Sequence, residues 1–376
     1  MKAALINTIA TPYELADVEV GSPTGREVLV EVKGSGLCHS DLHLADNDYG
    51  MPLPLMLGHE IAGVVTEVGP DATMVKVGDH VVACVVPSCG RCVPCSLGNP
   101  TACENAGSFG RDEGAPARYT RDGEPVTQAF GIGGFSEYVL THEAQVVSIS
   151  KDVPFDRAAL LGCGVVTGAG SVINSAKLRF GQTAVIIGCG GVGLNAVQGA
   201  ALAGARKVIA VDLQQGKLEL AKKFGATDVV NPADGDPIEQ VRALTGGKGV
   251  DHAFEVIGLK PTLEQAVGML GHFGTAYVVG MQKPGGRIEM NTDPMDPASI
   301  LQGEQAIRGV FMGTTNFRYD VPLFAEMYLQ GRLNLDDLVS KTVDIGFLNK
   351  GYEELKGGGV ARNVITTFNA DSIDLV

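Results

Sequence analysis

The stretch that most constrains the fold is Thr183-Ala184-Val185-Ile186-Ile187-Gly188-Cys189-Gly190-Gly191-Val192-Gly193. An apolar, β-branched run suited to a buried strand breaks into glycines and resumes as an Ala-rich segment, which reads as strand, tight turn and helix. The helix is expected to run through Ala205, and a second apolar run, Lys207-Val208-Ile209-Ala210-Val211, ends at Asp212. Further strand-like runs at 228–231, 249–256, 275–279 and 309–313 continue a strand–helix alternation from about residue 165. That alternation is the pattern of a parallel, doubly wound α/β sheet. Gly188, Gly190, Gly191 and Gly193, with Val192 among them, let backbone amides and a helix N-terminus approach a pyrophosphate. Asp212 can accept hydrogen bonds from both hydroxyls of an adenosine ribose, and its charge repels a 2′-phosphate. Neither Leu213 nor Gln214 supplies a cation to offset that repulsion, so NAD is expected rather than NADP. A glycine turn with no ligand is the alternative.

Upstream the pattern changes. Val28-Leu29-Val30-Glu31-Val32 alternates, short β runs follow at 61–68 and 79–86, and Gly69-Pro70 and Gly78-Asp79 supply turns between them. This region reads as a β-rich barrel. A chain of 376 residues exceeds one average core, so two domains are expected, and 45% hydrophobic with 19% charged residues describes a globular protein. The net charge of −14 repels nucleic acid and anionic membrane. No apolar run approaches the ~18 residues of a membrane span, and Met1-Lys2-Ala3-Ala4-Leu5-Ile6 reads as a first strand, so the cytoplasm is the expected location.

Disulfides are unusual in a cytosolic chain of this size, and the clustered members of its eight cysteines suit metal better. Cys89-x-x-Cys92-x-x-Cys95, followed by Cys103, lets one tight loop aim its thiolates at a tetrahedral centre with no vacancy, which implies a structural zinc. A DNA-reading zinc ribbon is the rival, and the acidic balance opposes it. Gly36-Leu37-Cys38-His39-Ser40-Asp41-Leu42-His43 and Gly58-His59-Glu60 bring a second soft and borderline pair, Cys38 and His59. A catalytic zinc needs a third ligand and an open position, and Cys163 in Leu161-Gly162-Cys163-Gly164 is the best candidate. Taken singly, each of these residues reads more simply as a buried thiol or a hydrogen-bonded histidine. Residues 104–135, polar and glycine-rich, read as an extended excursion that covers a site or makes a subunit contact.

Together these motifs, with Gly63 and Ala361-Arg362-Asn363, resemble the zinc-dependent alcohol dehydrogenases of the medium-chain dehydrogenase/reductase superfamily over nearly the whole chain. The resemblance implies a GroES-like catalytic domain at 1–164 and 307–376, carrying a structural zinc lobe at 89–103, and a Rossmann domain for NAD at 165–306. It implies a catalytic zinc on Cys38, His59 and Cys163, with Glu60 behind the metal and able to enter its coordination sphere, and with Asp41 orienting His59. Ser40 matches the hydroxyl that touches the reacting alcohol, and His43 the solvent end of a proton relay. His39 and Arg362 fall where the family places cations on the pyrophosphate, and Lys217 where a lysine meets the ribose. Thr167 and Val192 fall around the nicotinamide, Val279 among the cofactor-binding residues, and Tyr49, Val85 and Met281 on the substrate wall. The longer, dimeric branch of the family is the nearer match because of the 104–135 excursion, so a homodimer is expected, with a tetramer as the alternative.

The resemblance has departures. Val85 stands where animal liver enzymes carry a bulky aromatic, which implies a pocket for larger, apolar or aromatic primary alcohols. The glutathione-dependent formaldehyde branch needs an arginine soon after the last lobe cysteine, whereas this chain has Gly107 there and Arg111 displaced. A polyol or amino-alcohol dehydrogenase is a second enzymatic reading. A non-catalytic nucleotide-binding protein should have lost metal ligands or the relay hydroxyl, and this chain has lost neither.

Overall fold

The structure, a computed structural model, describes the chain except for residues 283–284, 297–298, 359–360 and 375–376. Internal contacts divide it into two units, Met1–Cys163 with Asn316–Val376, and Gly164–Thr315.

The first unit is β-rich. Its larger sheet has seven strands, in the order Val146–Ser148, His80–Ala83, Glu60–Val68, Glu27–Gly36, Arg362–Thr367 and Val339–Asp344, with Tyr138–His142 also pairing to Glu27–Gly36. Alternation along Glu27–Gly36 sends Val28, Val30 and Val32 into a core shared with Ile61, Val65, Val81 and Val139. A second cluster gathers Tyr13, Leu37, Leu44, Phe135, Leu348, Tyr352 and Ile365. The pairing of Gly36 with Glu60, and of Val364 with Gly36, brings three strand ends together. Those ends carry the residues of the candidate site.

The second unit is a six-stranded sheet in the order Asp228–Val230, Lys207–Val211, Thr183–Ile187, Val250–Glu255, Leu270–Val278 and Ala306–Gly309. Every neighbouring pair is parallel. The strand order reverses between Thr183–Ile187 and Val250–Glu255, the switch point at whose carboxyl ends ligands bind in such sheets. In register, Ile187 pairs with both Val211 and Glu255, so the glycine turn, Asp212 and the end of Val250–Glu255 lie along one edge. Among the described residues no single helix is long and apolar enough to cross a membrane.

Local pattern misplaces several features. The helix after the glycine turn is Gly191–Leu202 and stops before Ala205. The sixth strand is Ala306–Gly309, held by pairing to Thr275–Val278, and not 309–313. Met312, Gly313 and Thr314 instead turn through positive φ. The return to the first unit therefore comes at Asn316, later than residue 307.

The excursion at 104–135 is more ordered than its composition suggests. Tyr119–Arg121 and Glu124–Pro125 form a three-stranded sheet with Glu19–Val20, and Thr127–Gln128 joins the four-stranded sheet beside Leu55–Met56. Buried Glu27 pins it, accepting from Arg111 Nη2 and Arg118 Nε at 2.7 Å each. The same guanidiniums donate to the carbonyls of Ser22, Phe109 and Pro116 at 2.8–2.9 Å.

Burial pushes the Glu27 carboxyl up, but hydrogen bonds from Arg111, the Thr24 amide and Arg118 outweigh it and hold the group at about 2 rather than the ordinary 4.5. A depressed folded-state value means that the contribution is complete above about pH 4.5 and is lost as the pH falls towards 2. Glu27→Ala is expected to reduce the unfolding free energy at neutral pH by about 2–4 kcal/mol, because two half-buried cations lose their partner. Urea titration at neutral pH and again near the acid limit should show the gap between wild type and variant shrinking with acid.

Candidate active site

Strand Glu27–Gly36 runs through Leu37 to Cys38, whose extended backbone starts helix His39–Asp46. Ser40, on the first helical turn, has its hydroxyl 3.7 Å from Cys38 Sγ. His59 enters strand Glu60–Val68 from a turn at Gly58, where φ is +92° and a Cβ would lie 2.6 Å from the Phe135 nitrogen, so only glycine fits. The Gly58 amide donates to Asp41 Oδ1 at 3.0 Å, and the same oxygen lies 2.9 Å from His59 Nδ1. An ionised carboxylate only accepts, so Nδ1 carries the proton and Nε2 presents its lone pair. That Nε2 faces Cys163 Sγ at 3.1 Å. Ligand atoms of Cys38, His59, Glu60 and Cys163 all lie within 4.8 Å of one another, and all four residues are buried.

Arg362 completes the cluster. Its guanidinium, 4% exposed, donates to Glu60 through Nε at 3.1 Å and Nη2 at 3.0 Å, and Nη2 also reaches Cys38 Sγ at 3.4 Å. These bonds use Nε and Nη2 and tie the guanidinium to Glu60 and to the Cys38 sulfur, a pairing that the sequence motif alone does not announce. His39, the other expected cation, is exposed.

The electrostatics follow from that geometry. A hydrogen bond from Cys163 holds the Cys38 thiol well below its usual range against burial, with Arg362 and His59 assisting. Cys163, as the donor and by burial, is raised. Of the two, Cys38 is therefore the readier to ionise. Burial works against a charged His59, yet Asp41 and Cys38 raise it. Burial lifts Glu60 to about 7 against the pull of Arg362. Two thiols and an imidazole form the donor set zinc prefers, and a divalent cation would displace thiol protons on binding. With Glu60 engaged by Arg362, a metal here would draw on Cys38, His59 and Cys163, the three-ligand set that leaves one position open.

The second cluster is Cys89, Cys92, Cys95 and Cys103, again with sulfurs within 4.8 Å of one another. The Cys92 amide and Asn105 Nδ2 donate to Cys89 Sγ at 3.3 Å each, and the Cys89 amide donates to Cys103 Sγ at 3.3 Å. The Arg91 amide and Asn105 pull the Cys89 thiol down to about 6, whereas burial and neighbouring thiols push Cys95 up to about 12. Crowded thiols divide in this way when no cation compensates them. A zinc ion fits them and leaves no open position. Cys84 and Cys189 are buried thiols pushed up by desolvation, and they behave as small apolar residues.

In the second unit, a Cβ on Gly193 would lie 1.8 Å from the Gly188 carbonyl, so the turn closes only on glycine. Gly190 has open space where a Cβ would point, as a cradle for a ligand backbone requires. Gly191 is buried and Val192 half-buried at the helix start. Asp212 accepts from the Cys189 amide at 2.8 Å and the Gln214 amide at 2.9 Å, tying its strand to the turn. Lys217 is half-buried on helix Gln215–Lys223. Thr167 is buried and donates to Met312 Sδ at 3.6 Å. The Val279 amide donates to the Glu255 carbonyl at 2.9 Å. These features suit a dinucleotide.

Sequence reasoning missed two residues. Glu255 Oε1 accepts from the amides of Ile257 and Gly258 and from Thr262 Oγ1 at 2.8–2.9 Å, which shapes the loop after its strand. Phe130, held in the left-handed region at φ 54° by a hydrogen bond from Gln145 to its carbonyl, sets its ring edge-on to His59 at 5.9 Å. A non-glycine residue with positive φ is detectable only in three dimensions. Among the remaining expected residues, His43 is half-buried on helix His39–Asp46. Tyr49 and Met281 are exposed, and Val85 packs against the first unit's core.

Residues 24–151 match the family model described as the alcohol dehydrogenase GroES-like domain, and residues 191–327 that of the zinc-binding dehydrogenases. The chain is 37% identical over 369 residues to the NDMA-dependent alcohol dehydrogenase of Amycolatopsis methanolica, covering 97% of this chain and 98% of that one. It is 34% identical over 377 residues to the class-3 alcohol dehydrogenase of Cereibacter sphaeroides, covering 97% of this chain and 99% of that one. The crystal structure of benzyl alcohol dehydrogenase from Acinetobacter calcoaceticus superposes with a TM-score of 0.90 at 34% identity, over 98% of this chain and 99% of that chain.

Metal analysis of the purified protein should find one zinc for each of the two clusters. Cys38→Ser is expected to lose one equivalent with the fold intact. Cys92→Ser should lose the other and lower the thermal midpoint by roughly 5–10 °C.

Proposed function

The chain belongs to the zinc-binding alcohol dehydrogenases of the medium-chain dehydrogenase/reductase superfamily, and on that premise we propose that it oxidises larger apolar or aromatic primary alcohols reversibly to aldehydes, with NAD as the hydride acceptor. The observation that carries this reading is the buried set of Cys38, His59 and Cys163, whose ligand atoms lie within 4.8 Å of one another beside a Glu60 already paired with Arg362. When bound there, zinc supplies a Lewis acid for the alcohol oxygen, and a nicotinamide supplies the hydride acceptor.

The chain's own residues do the rest. Asp41 fixes the tautomer and orientation of His59. Ser40, beside the Cys38 sulfur, takes the proton of the substrate hydroxyl and passes it outward, with His43 one helical turn further along the same helix as its exit. Arg362 holds Glu60 away from the open position. Asp212 and the glycine turn favour NAD over NADP. A homodimer in the cytoplasm completes the reading; the dimer rests on the 104–135 excursion and the family resemblance, and the location on the sequence pattern alone.

Val85 supports the substrate class, as does similarity to an enzyme named for benzyl alcohol. A glutathione adduct is disfavoured, because Arg111 is engaged by Glu27 and by the Ser22 and Pro116 carbonyls. A second reading concerns the acceptor, since a relative of 37% identity is named NDMA-dependent. In that case turnover would follow added NDMA and not added NAD.

Steady-state assays with NAD, NADP and NDMA, each against benzyl alcohol and ethanol, separate these readings. With NAD, kcat/KM is expected to be higher for benzyl alcohol, and Val85→Phe should reduce that preference by about tenfold or more, within the discrimination one pocket contact provides. A preference for ethanol would refute the substrate class, and turnover with NDMA alone would refute NAD as the exchanging acceptor.

A further inference from the structure

Three buried polar atoms of the first unit have no hydrogen-bond partner among the described residues: Asp41 Oδ2, the Tyr13 hydroxyl and the Tyr352 hydroxyl. Asp41 is 0% exposed, Tyr13 4% and Tyr352 3%. The two phenol rings stack at 5.6 Å with planes 12° apart, and Phe135 packs edge-on to both. That apolar packing excludes bulk solvent. Both phenols are raised, first by burial and then by charges that include Asp41 for each of them, and the two hydroxyls also face one another. Asn349 fixes the Tyr13 backbone, accepting from its amide at 2.9 Å and donating to its carbonyl at 3.1 Å. Tyr13 and Tyr352, the latter on helix Leu348–Lys356, share one buried cluster with Leu44, one turn along helix His39–Asp46 from Asp41, whose charge acts on both phenols.

The chemistry of these atoms is complementary. An ionised carboxylate oxygen only accepts, and each phenol carries a proton to donate. Leaving all three unpaired in an apolar core would cost the desolvation of each. Oδ1 of the same carboxylate is already occupied by the Gly58 amide and His59 Nδ1. Given the zinc reading above, on which it rests, we propose that Tyr13 and Tyr352 are positioning residues for the metal centre. Their phenols donate to Asp41 Oδ2 through an enclosed water, and so set how Asp41 holds the His59 ring and how firmly His59 binds the metal. A donor at Oδ2 holds the carboxylate in the orientation that its bond to His59 Nδ1–H needs, so the ring keeps one angle toward the metal. The phenols thus act on the cation through two intervening side chains and touch neither substrate nor cofactor.

The test uses the full-length holoenzyme and its cobalt-substituted form, with Tyr13→Phe, Tyr352→Phe and the double variant. Phenylalanine keeps the stacked rings and removes only the hydroxyls. The double variant is expected to release the metal of the Cys38 site to a chelator about tenfold faster than wild type, the range typical of outer partners of a metal ligand. Its cobalt absorption bands should shift, while the metal of the four-cysteine lobe is retained. In an Asp41→Asn background the same tyrosine changes should have no further effect on release. Unaltered release and cobalt spectrum in the double variant would overturn the inference, even if its thermal midpoint fell, because a role in packing alone moves only the midpoint. Should the double variant fail to fold, Tyr352→Phe alone decides by the same two readouts. A wild-type protein that takes up no metal at Cys38 would instead sink the functional reading itself.

Discussion

One buried cation governs the candidate site. Arg362 sits between Glu60 and the sulfur of Cys38 with 4% of its surface exposed. An unpaired guanidinium in that position would be prohibitively costly, and so would Glu60 without it. Together they make a fixed, nearly neutral backdrop to two thiols and an imidazole. A divalent cation on two thiolates then adds no net charge to the interior, so the centre can be dry and still act as a Lewis acid. The strands serve this arrangement: pairing at Gly36 with both Glu60 and Val364 delivers the thiol, the carboxylate and the guanidinium to one point.

The second unit shows the same economy of means in a parallel sheet. Register aligns the ends of its central strands, so that the glycine turn, Asp212 and Glu255 share an edge without a special device for each. Asp212 is tied to the turn by the Cys189 amide, and Glu255 gathers the next loop through two amides and a hydroxyl. Rigidity there comes from carboxylates capping backbone donors, which suits a surface that must hold its shape before a ligand arrives.

Much of this was legible in the residues. The strand–glycine–helix signature, the spacing of Cys89, Cys92, Cys95 and Cys103, and the Cys38 and His59 motifs each carry their chemistry locally. Cys163 does not, because its place beside His59 depends on a contact spanning 104 residues. The pairing of Arg362 with Glu60 is not legible either, because it joins residues 302 apart in sequence. The 104–135 segment looked like a loop because its order comes from Glu27, far away in sequence. The sixth strand was misplaced because Val310 and Phe311 have strand propensity, whereas register with Thr275–Val278 selects the residues before them. Phe130, Tyr13 and Tyr352 have no local signal at all, since a ring at positive φ or a phenol aimed at a carboxylate is a property of packing.

The central claim is that Cys38, His59 and Cys163 hold a catalytic zinc with one position open, while Glu60 remains with Arg362. Anomalous diffraction at the zinc edge from crystals of the purified holoenzyme tests it most directly. A peak bonded to both sulfurs and to His59 Nε2, with Glu60 still on Arg362, is the predicted result. No peak at those atoms in a protein that oxidises alcohols at full rate would contradict the account, as would a metal held by Glu60 in place of His59.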